Sequence, residues 1–133
     1  MDYKYFKIDD FKCPCCEVNN IDPFLIEMLD VARFRAGIPF IINSGYRCVK
    51  HNKEVKGTFN SSHLVGKAVD IDTQGILDRY FMVKSLLDIG FVRIEIAPTW
   101  THADIGYTKP RGIFLKWKSR IGFVGVDVVL YEW

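Results

Sequence analysis

The sequence predicts an α+β domain in which helices pack on a mainly antiparallel sheet. Three observations carry this. Two stretches repeat apolar residues at helical spacing between capping signals, residues 92–97 alternate apolar and polar side chains, and residues 112–133 hold two β-rich runs split by Lys118-Ser119-Arg120, a hairpin. With 133 residues, 49% hydrophobic and 26% charged, the chain fits one domain, residues 1–133, able to bury its own core. That composition excludes a disordered or low-complexity chain, and no apolar run approaches the roughly 18 residues that suggest a membrane span.

The elements follow in order. Asp22 before Pro23 is a helix start, an N-cap oxygen followed by proline where a missing N–H costs nothing. Leu25, Met28, Leu29, Ala32 and Ala36 keep helical spacing as far as Gly37, a natural C′ residue with Pro39 beyond it. Phe40-Ile41-Ile42 reads as a buried strand leading into a turn at Asn43-Ser44-Gly45. A strand is expected at Ala68 to Asp72. Thr73 then caps a second helix from Gln74 to Ile89, with Leu77, Phe81 and Leu87 inward and Gly90 ending it. In the strand that follows, Val92, Ile94 and Ile96 face the core and Arg93 and Glu95 face away; Pro98 and Thr99 separate it from a short strand around Thr101 to Ile105.

The formal net charge of +2 is too small for a general nucleic-acid or membrane binder, so any basic surface is local. Lys109, Arg111, Lys116, Lys118 and Arg120, interleaved with Phe114 and Trp117, form such a run without an acid. It reads as the solvated face of an edge hairpin, where lysines discourage stray strand pairing, in preference to a nucleic-acid surface. Met1 to Lys12 contain no apolar stretch of the signal-peptide kind, so the expected location is cytoplasmic as made, with later release as an option. A monomer without membrane insertion is expected. Cys13, Cys15 and Cys16 cluster, and Cys48 lies far along the chain; Cys13 and Cys16 have metal-ligand spacing that Cys48 or His51 would complete. The reading adopted is buried thiols or a single Cys48 disulfide, with a second metal as the alternative.

Chemistry-bearing residues concentrate in three places: Ser61-Ser62-His63-Leu64-Val65-Gly66-Lys67-Ala68-Val69-Asp70, Trp100-Thr101-His102-Ala103-Asp104, and Ser44-Gly45-Tyr46-Arg47. In a strand, residues two apart share a face, so His102 and Asp104 point into the same space. Two imidazoles and a carboxylate suit zinc with a fourth position for water, and His63, Asp70 and His102 supply that set. For each alone the alternative is structural: a satisfied polar histidine, or an aspartate bonding backbone amides at a strand end.

Ser61-x-His63-x-x-Gly66-x-Ala68-x-Asp70, followed by His102-x-Asp104 and preceded by Ser44-Gly45-Tyr46-Arg47, resembles the zinc D-alanyl-D-alanine carboxypeptidase family. That family includes VanX-type dipeptidases and phage endolysin peptidases and shares its fold with the hedgehog signalling domain. The similarity runs from about Phe11 to about Tyr107, with the motifs in the family's order. The resemblance implies one catalytic Zn2+ held by His63, Asp70 and His102, Arg47 steadying the developing oxyanion, and Ser61 and Tyr46 facing substrate. It implies hydrolysis of peptide bonds next to D-amino acids in peptidoglycan stem peptides. Several members carry a glutamate or aspartate three residues before the last histidine; here that position is Thr99, which cannot accept a proton from water. Asp104 is then the first candidate for general base or for orienting a ligand, and Glu95 the second, its alternative being a solvated strand face. A non-catalytic zinc-containing wall-binding module is the rival reading. His51 is left as a structural residue or minor substrate contact.

Overall fold

The computed structural model describes residues 2–119 and 122–126. Asp22 caps the first helix, α1 (Pro23–Ala36), through its side chain, which accepts from the Phe24 N–H at 2.9 Å; Gly37 closes it in the left-handed conformation at φ 69°. The inward residues are Leu25, Ile26, Leu29 and Ala32. Asp22 also pairs with Lys67, tying the start of α1 to the loop that carries His63. Burial raises the Asp22 carboxyl, but the Lys67 bond and the Phe24 N–H outweigh it and hold it below its ordinary value. We expect Asp22→Ala to destabilise the protein by about 1–2 kcal/mol, the cost of a lost cap. Because the folded-state value is depressed, the difference from wild type is full above the unfolded pKa of about 3.9 and fades as pH falls below it. Urea melts at pH 7 and pH 3 measure both; a difference that grows on acidification is the wrong sign.

Two elements were misplaced from sequence. β1 is Ile42–Ser44 rather than a buried strand at 40–42: Phe40 is buried, but Ile41 is 60% exposed and β1 is an edge strand. Thr73 does not cap the second helix. Its buried hydroxyl donates to the Ile71 carbonyl and lies 2.9 Å from the Thr101 hydroxyl, while α3 (Ile76–Ile89) starts from Gly75. The phase of α3 also differs. Met82, Ser85 and Leu86 are buried, Leu87 is partly buried, and Leu77 and Phe81 are 71% and 44% exposed. Ser85 qualifies for the inward face because it is small and its hydroxyl bonds back to the Met82 carbonyl at 2.9 Å. Gly90 ends α3 with φ 113°, as read. A short helix, α2 (Val49–Glu54), and one-turn 3-10 helices at Ile8–Phe11 and Ser62–Val65 had no periodic signal, being too short to show one.

The remaining strands are β2 (Ala68–Asp72), β3 (Arg93–Ile96), β4 (Trp100–Asp104), β5 (Gly112–Ser119) and β6 (Gly122–Val126), and the described strands form one sheet in the order β1-β2-β4-β3-β5-β6. Pairings are antiparallel except β3 with β5, which run parallel, so the sheet is mixed but mainly antiparallel, as expected of the α+β class. β5 and β6 form the expected hairpin; residues 120–121 and 127–133 of the stretch assigned to it lie outside the described residues. One face of the sheet buries Val69, Ile71, Ala103, Ile94 and Ile113 in a core shared with α1 and α3. The other face carries the polar residues Asp70, His102, Asp104 and Glu95, together with Ala68, Trp100 and Phe114. Among the described residues no helix is long and apolar enough to cross a membrane.

Candidate metal centre

Register builds the polar face. Ser44 on β1 lies opposite Asp70 on β2, Asp70 opposite His102 on β4, and His102 opposite Glu95 on β3, so four residues from four strands form one row across the sheet. His63 joins them from the 3-10 turn. Ser61 caps that turn by accepting from the His63 N–H at 3.3 Å, and Gly66 ends it at φ 70°. A side chain at Gly66 would be strained by that φ, and a Cβ there would lie 2.1 Å from the Asn20 carbonyl oxygen.

The ligand atoms of His63, Asp70 and His102 all lie within 4.8 Å of one another. His63 Nδ1 is 2.7 Å from the Gly45 carbonyl oxygen, which can only accept, so Nδ1 carries the proton and Nε2 presents a lone pair. That lone pair faces Asp70 Oδ1 at 3.3 Å. Burial holds the His63 imidazole below its ordinary pKa against the opposing charge of Asp70, which keeps it neutral at neutral pH. Two electron-rich atoms facing each other with no proton between them are an arrangement that a cation resolves. Asp70 Oδ1 also lies 2.9 Å from His102 Nδ1, while its Oδ2 accepts from Arg47 at 2.9 Å. Burial raises the Asp70 carboxyl, but His63 and His102 beside it outweigh that burial and hold it well below the carboxylate range.

His102 is bracketed by acceptors. Its Nδ1 faces Asp70, and its Nε2 lies 3.2 Å from Asp104 Oδ2 and 3.7 Å from Glu95 Oε2. Burial lowers its pKa, but the hydrogen bonds to Asp104 and Asp70 and the charges of Asp70 and Glu95 outweigh burial and push it up to about 9. A site that holds an extra proton this firmly between carboxylates is electrostatically suited to a cation. The donor set of two imidazole nitrogens and one carboxylate oxygen fits a divalent metal with an open position.

The other sequence candidates fall in distinct places. Asp104 is 1% exposed and sits on the Nε2 side of the His102 ring; it also accepts from the Gly106 N–H at 2.6 Å and bonds the Ser62 hydroxyl, and the His102 bond outweighs burial to lower its pKa. Glu95 is on the same side. It is not a solvated strand residue: it is half-buried, 3.2 Å from Arg93 Nε and 3.7 Å from Lys116 Nζ. That pairing and the bond from Lys109 to the Thr58 hydroxyl use two cations of the basic run internally; the side chains of Lys118 and Arg120 lie outside the described residues. Arg47 donates to Ser44, Asn52 and Asp70. Ser61 is buried as a turn cap, and Tyr46 packs into the hydrophobic core rather than toward the metal ligands. His51 is apart from the cluster, 3.7 Å from Glu54.

Sequence reading missed the supports. Gly45 supplies the carbonyl that fixes His63, and a Cβ there would lie 2.7 Å from the Phe11 backbone. At Gly106 a Cβ would meet the Ser62 hydroxyl at 2.7 Å and Asp104 at 2.9 Å. Asn52 holds Arg47 and bonds the Thr58 carbonyl. Only the glycines carried a signal, as breaks beside the histidine and arginine motifs.

A two-histidine, one-carboxylate cluster on the polar face of an α+β sheet defines a candidate metal-dependent hydrolase. The family model Peptidase M15 matches residues 4–104, and the chain belongs to that metallopeptidase family, whose members act on peptides. No curated protein matches the chain.

Proposed function

We propose that this protein is a zinc-dependent peptidase that hydrolyses bonds next to D-amino acids in peptidoglycan stem peptides, of the D,D-carboxypeptidase or endopeptidase type. The observation that carries the reading is the convergence of His63 Nε2, Asp70 Oδ1 and His102 Nδ1, with Arg47 bonded to the same carboxylate. These three residues hold the ion. Zinc held there would supply Lewis-acid chemistry, polarisation of a peptide carbonyl and a lowered pKa for water. Arg47 keeps Asp70 in place and stands beside the ligands, where a fixed guanidinium stabilises charge developing on the carbonyl oxygen, on the order of 3 kcal/mol for a donor of this kind. Asp104 holds the His102 ring through Nε2. Glu95, ionised at neutral pH because His102, Lys116 and Arg93 together outweigh its burial, is the carboxylate left to receive a proton. Ser61 acts by positioning His63.

The test is hydrolysis of a defined stem peptide, with products identified by mass spectrometry, after chelation and again after zinc is restored. We expect activity to vanish and return, and a stem peptide with an L-residue at the scissile position to resist. Equal cleavage of both peptides would remove the D-specificity; cleavage indifferent to chelator would remove the metal.

A second reading, a zinc-containing wall-binding module without turnover, is favoured by one observation: Asp104 and Glu95 both contact the Nε2 side of His102, and Thr99 supplies no carboxylate. Zinc-loaded protein that binds peptidoglycan and releases nothing from it would select this reading.

A further inference from the structure

The four cysteines of the chain, two segments and 35 residues apart at their widest hydrogen-bonded pair, meet at one point outside the site described above. Cys13 Sγ lies 3.6 Å from Cys15 Sγ and 3.6 Å from Cys48 Sγ, and Cys15 Sγ lies 3.2 Å from Cys48 Sγ. Cys16 completes the group, with all four sulfurs within 4.8 Å of one another. All four are free thiols, and these separations are far beyond the roughly 2.05 Å of a sulfur–sulfur bond. Of the two states expected from sequence, buried thiols or a single Cys48 disulfide, the disulfide is absent and only Cys13 of the four thiols is fully buried. Four ligands at about 2.3 Å around a tetrahedral zinc stand about 3.8 Å apart, close to the spacing seen here.

We propose that Cys13, Cys15, Cys16 and Cys48 bind a second zinc ion, a closed structural site distinct from the His63–Asp70–His102 centre. The backbone is arranged for it. The Cys48 N–H points at Cys13 Sγ at 3.5 Å and the His51 N–H at Cys48 Sγ at 3.4 Å, so amide donors face sulfurs that carry negative charge when they ligate a metal. The loop folds back on itself through bonds from the Cys13 N–H to the Val18 carbonyl and from the Glu17 N–H to the Cys13 carbonyl, both 2.9 Å. Its turn is made by Glu17 at φ 61°, a left-handed conformation that a non-glycine residue holds only when its surroundings impose it. A metal held by the four thiolates would brace that turn.

The site has a structural consequence for the neighbouring centre. Cys48 directly follows Arg47, and the loop before it rests on the N-terminal segment: the Tyr46 N–H donates to the Phe11 carbonyl at 2.8 Å, beside the close approach of Gly45 to Phe11. Pinning residues 13–16 to Cys48 therefore fixes the loop that presents Arg47 and the Gly45 carbonyl.

The inference does not depend on the peptidase reading, and the experiment separates them. The full chain is purified under reducing conditions with zinc and its metal content measured by mass spectrometry. Wild type is expected to hold two equivalents, Asp70→Asn one, and a Cys15→Ser/Cys16→Ser double variant one; those two cysteines are exposed, so their replacement tests ligation with little effect on packing. Reconstitution of wild type and Asp70→Asn with cobalt should give sulfur-to-metal charge-transfer absorption, which the double variant lacks. Cobalt-loaded wild type without that absorption, or zinc content unchanged by the cysteine substitutions, would overturn the proposal, as would an intact mass showing a disulfide in the reduced, zinc-supplied protein.

Discussion

Asp70→Asn is expected to empty the histidine-carboxylate centre and reduce peptide hydrolysis by about a thousandfold or more, since a catalytic metal contributes several kcal/mol to the transition state and each factor of ten is about 1.4 kcal/mol. The substitution keeps the shape of the side chain and removes its charge. Asp70 Oδ1 faces both His63 Nε2 and His102 Nδ1 while Oδ2 holds Arg47, and an amide has a single oxygen to offer in place of two. Its NH2 group donates, so one of the three partners faces a donor where it needs an acceptor or an anion. Arg47, half-buried, also loses its ion-pair partner, so the fold weakens as well. Circular dichroism and a thermal melt establish that the variant is folded; metal content and hydrolysis are then read at a temperature below its transition. A folded variant that keeps its full metal content and hydrolyses within tenfold of wild type contradicts the ligand assignment.

Asp104→Asn is expected to weaken metal binding about 10- to 100-fold, the usual effect of removing an outer partner of a ligating histidine. Asp104 Oδ2 meets His102 Nε2 at 3.2 Å, so a carboxylate there keeps the proton on Nε2 and leaves Nδ1 for the metal. It also raises the basicity of the ring, which an amide does not. The position argues against Asp104 as the general base: it is enclosed, and its other oxygen is taken by the Gly106 N–H. Titration with zinc in a competing chelator separates the roles. An orienting residue gives a shifted affinity and a rate that recovers to within about tenfold at saturating metal; a base gives unchanged affinity and a rate that stays about 10²- to 10⁴-fold low. The second pattern would return Asp104 to the role of base and release Glu95 from it.

Much of this centre was legible before the fold was known. His-x-Asp in a strand puts His102 and Asp104 on one face, and the spacing from His63 to Asp70 places a histidine on a turn and a carboxylate on the strand after it. The roles of the supports were not legible, because each acts through a backbone atom or a contact between distant segments: the Gly45 carbonyl on His63, Phe11 beneath Gly45, and Asn52 on Arg47. The phase of α3 was missed for a related reason. Its sequence is apolar on several sides, and only packing against α1 selects Met82, Ser85 and Leu86 over Leu77 and Phe81.

The sequence by itself determined the capped helix from Asp22 to Gly37, the alternating strand around Ile94, the α+β class and the candidate metal-ligand set of His63, Asp70 and His102. Those features depend on neighbours a few positions apart, and local sterics and hydrogen bonding settle them. Only the tertiary structure decided that Asp70, His102 and Glu95 share a row, that His102 turns Nδ1 toward Asp70 and Nε2 toward Asp104, and that Cys48 meets Cys13, Cys15 and Cys16. Strand register sets the row, and a slip of one residue would send every side chain to the opposite face. Burial of Val69, Ile71, Ala103 and Ile94 in the core fixes that register, and with it the polar face on which the candidate centre stands.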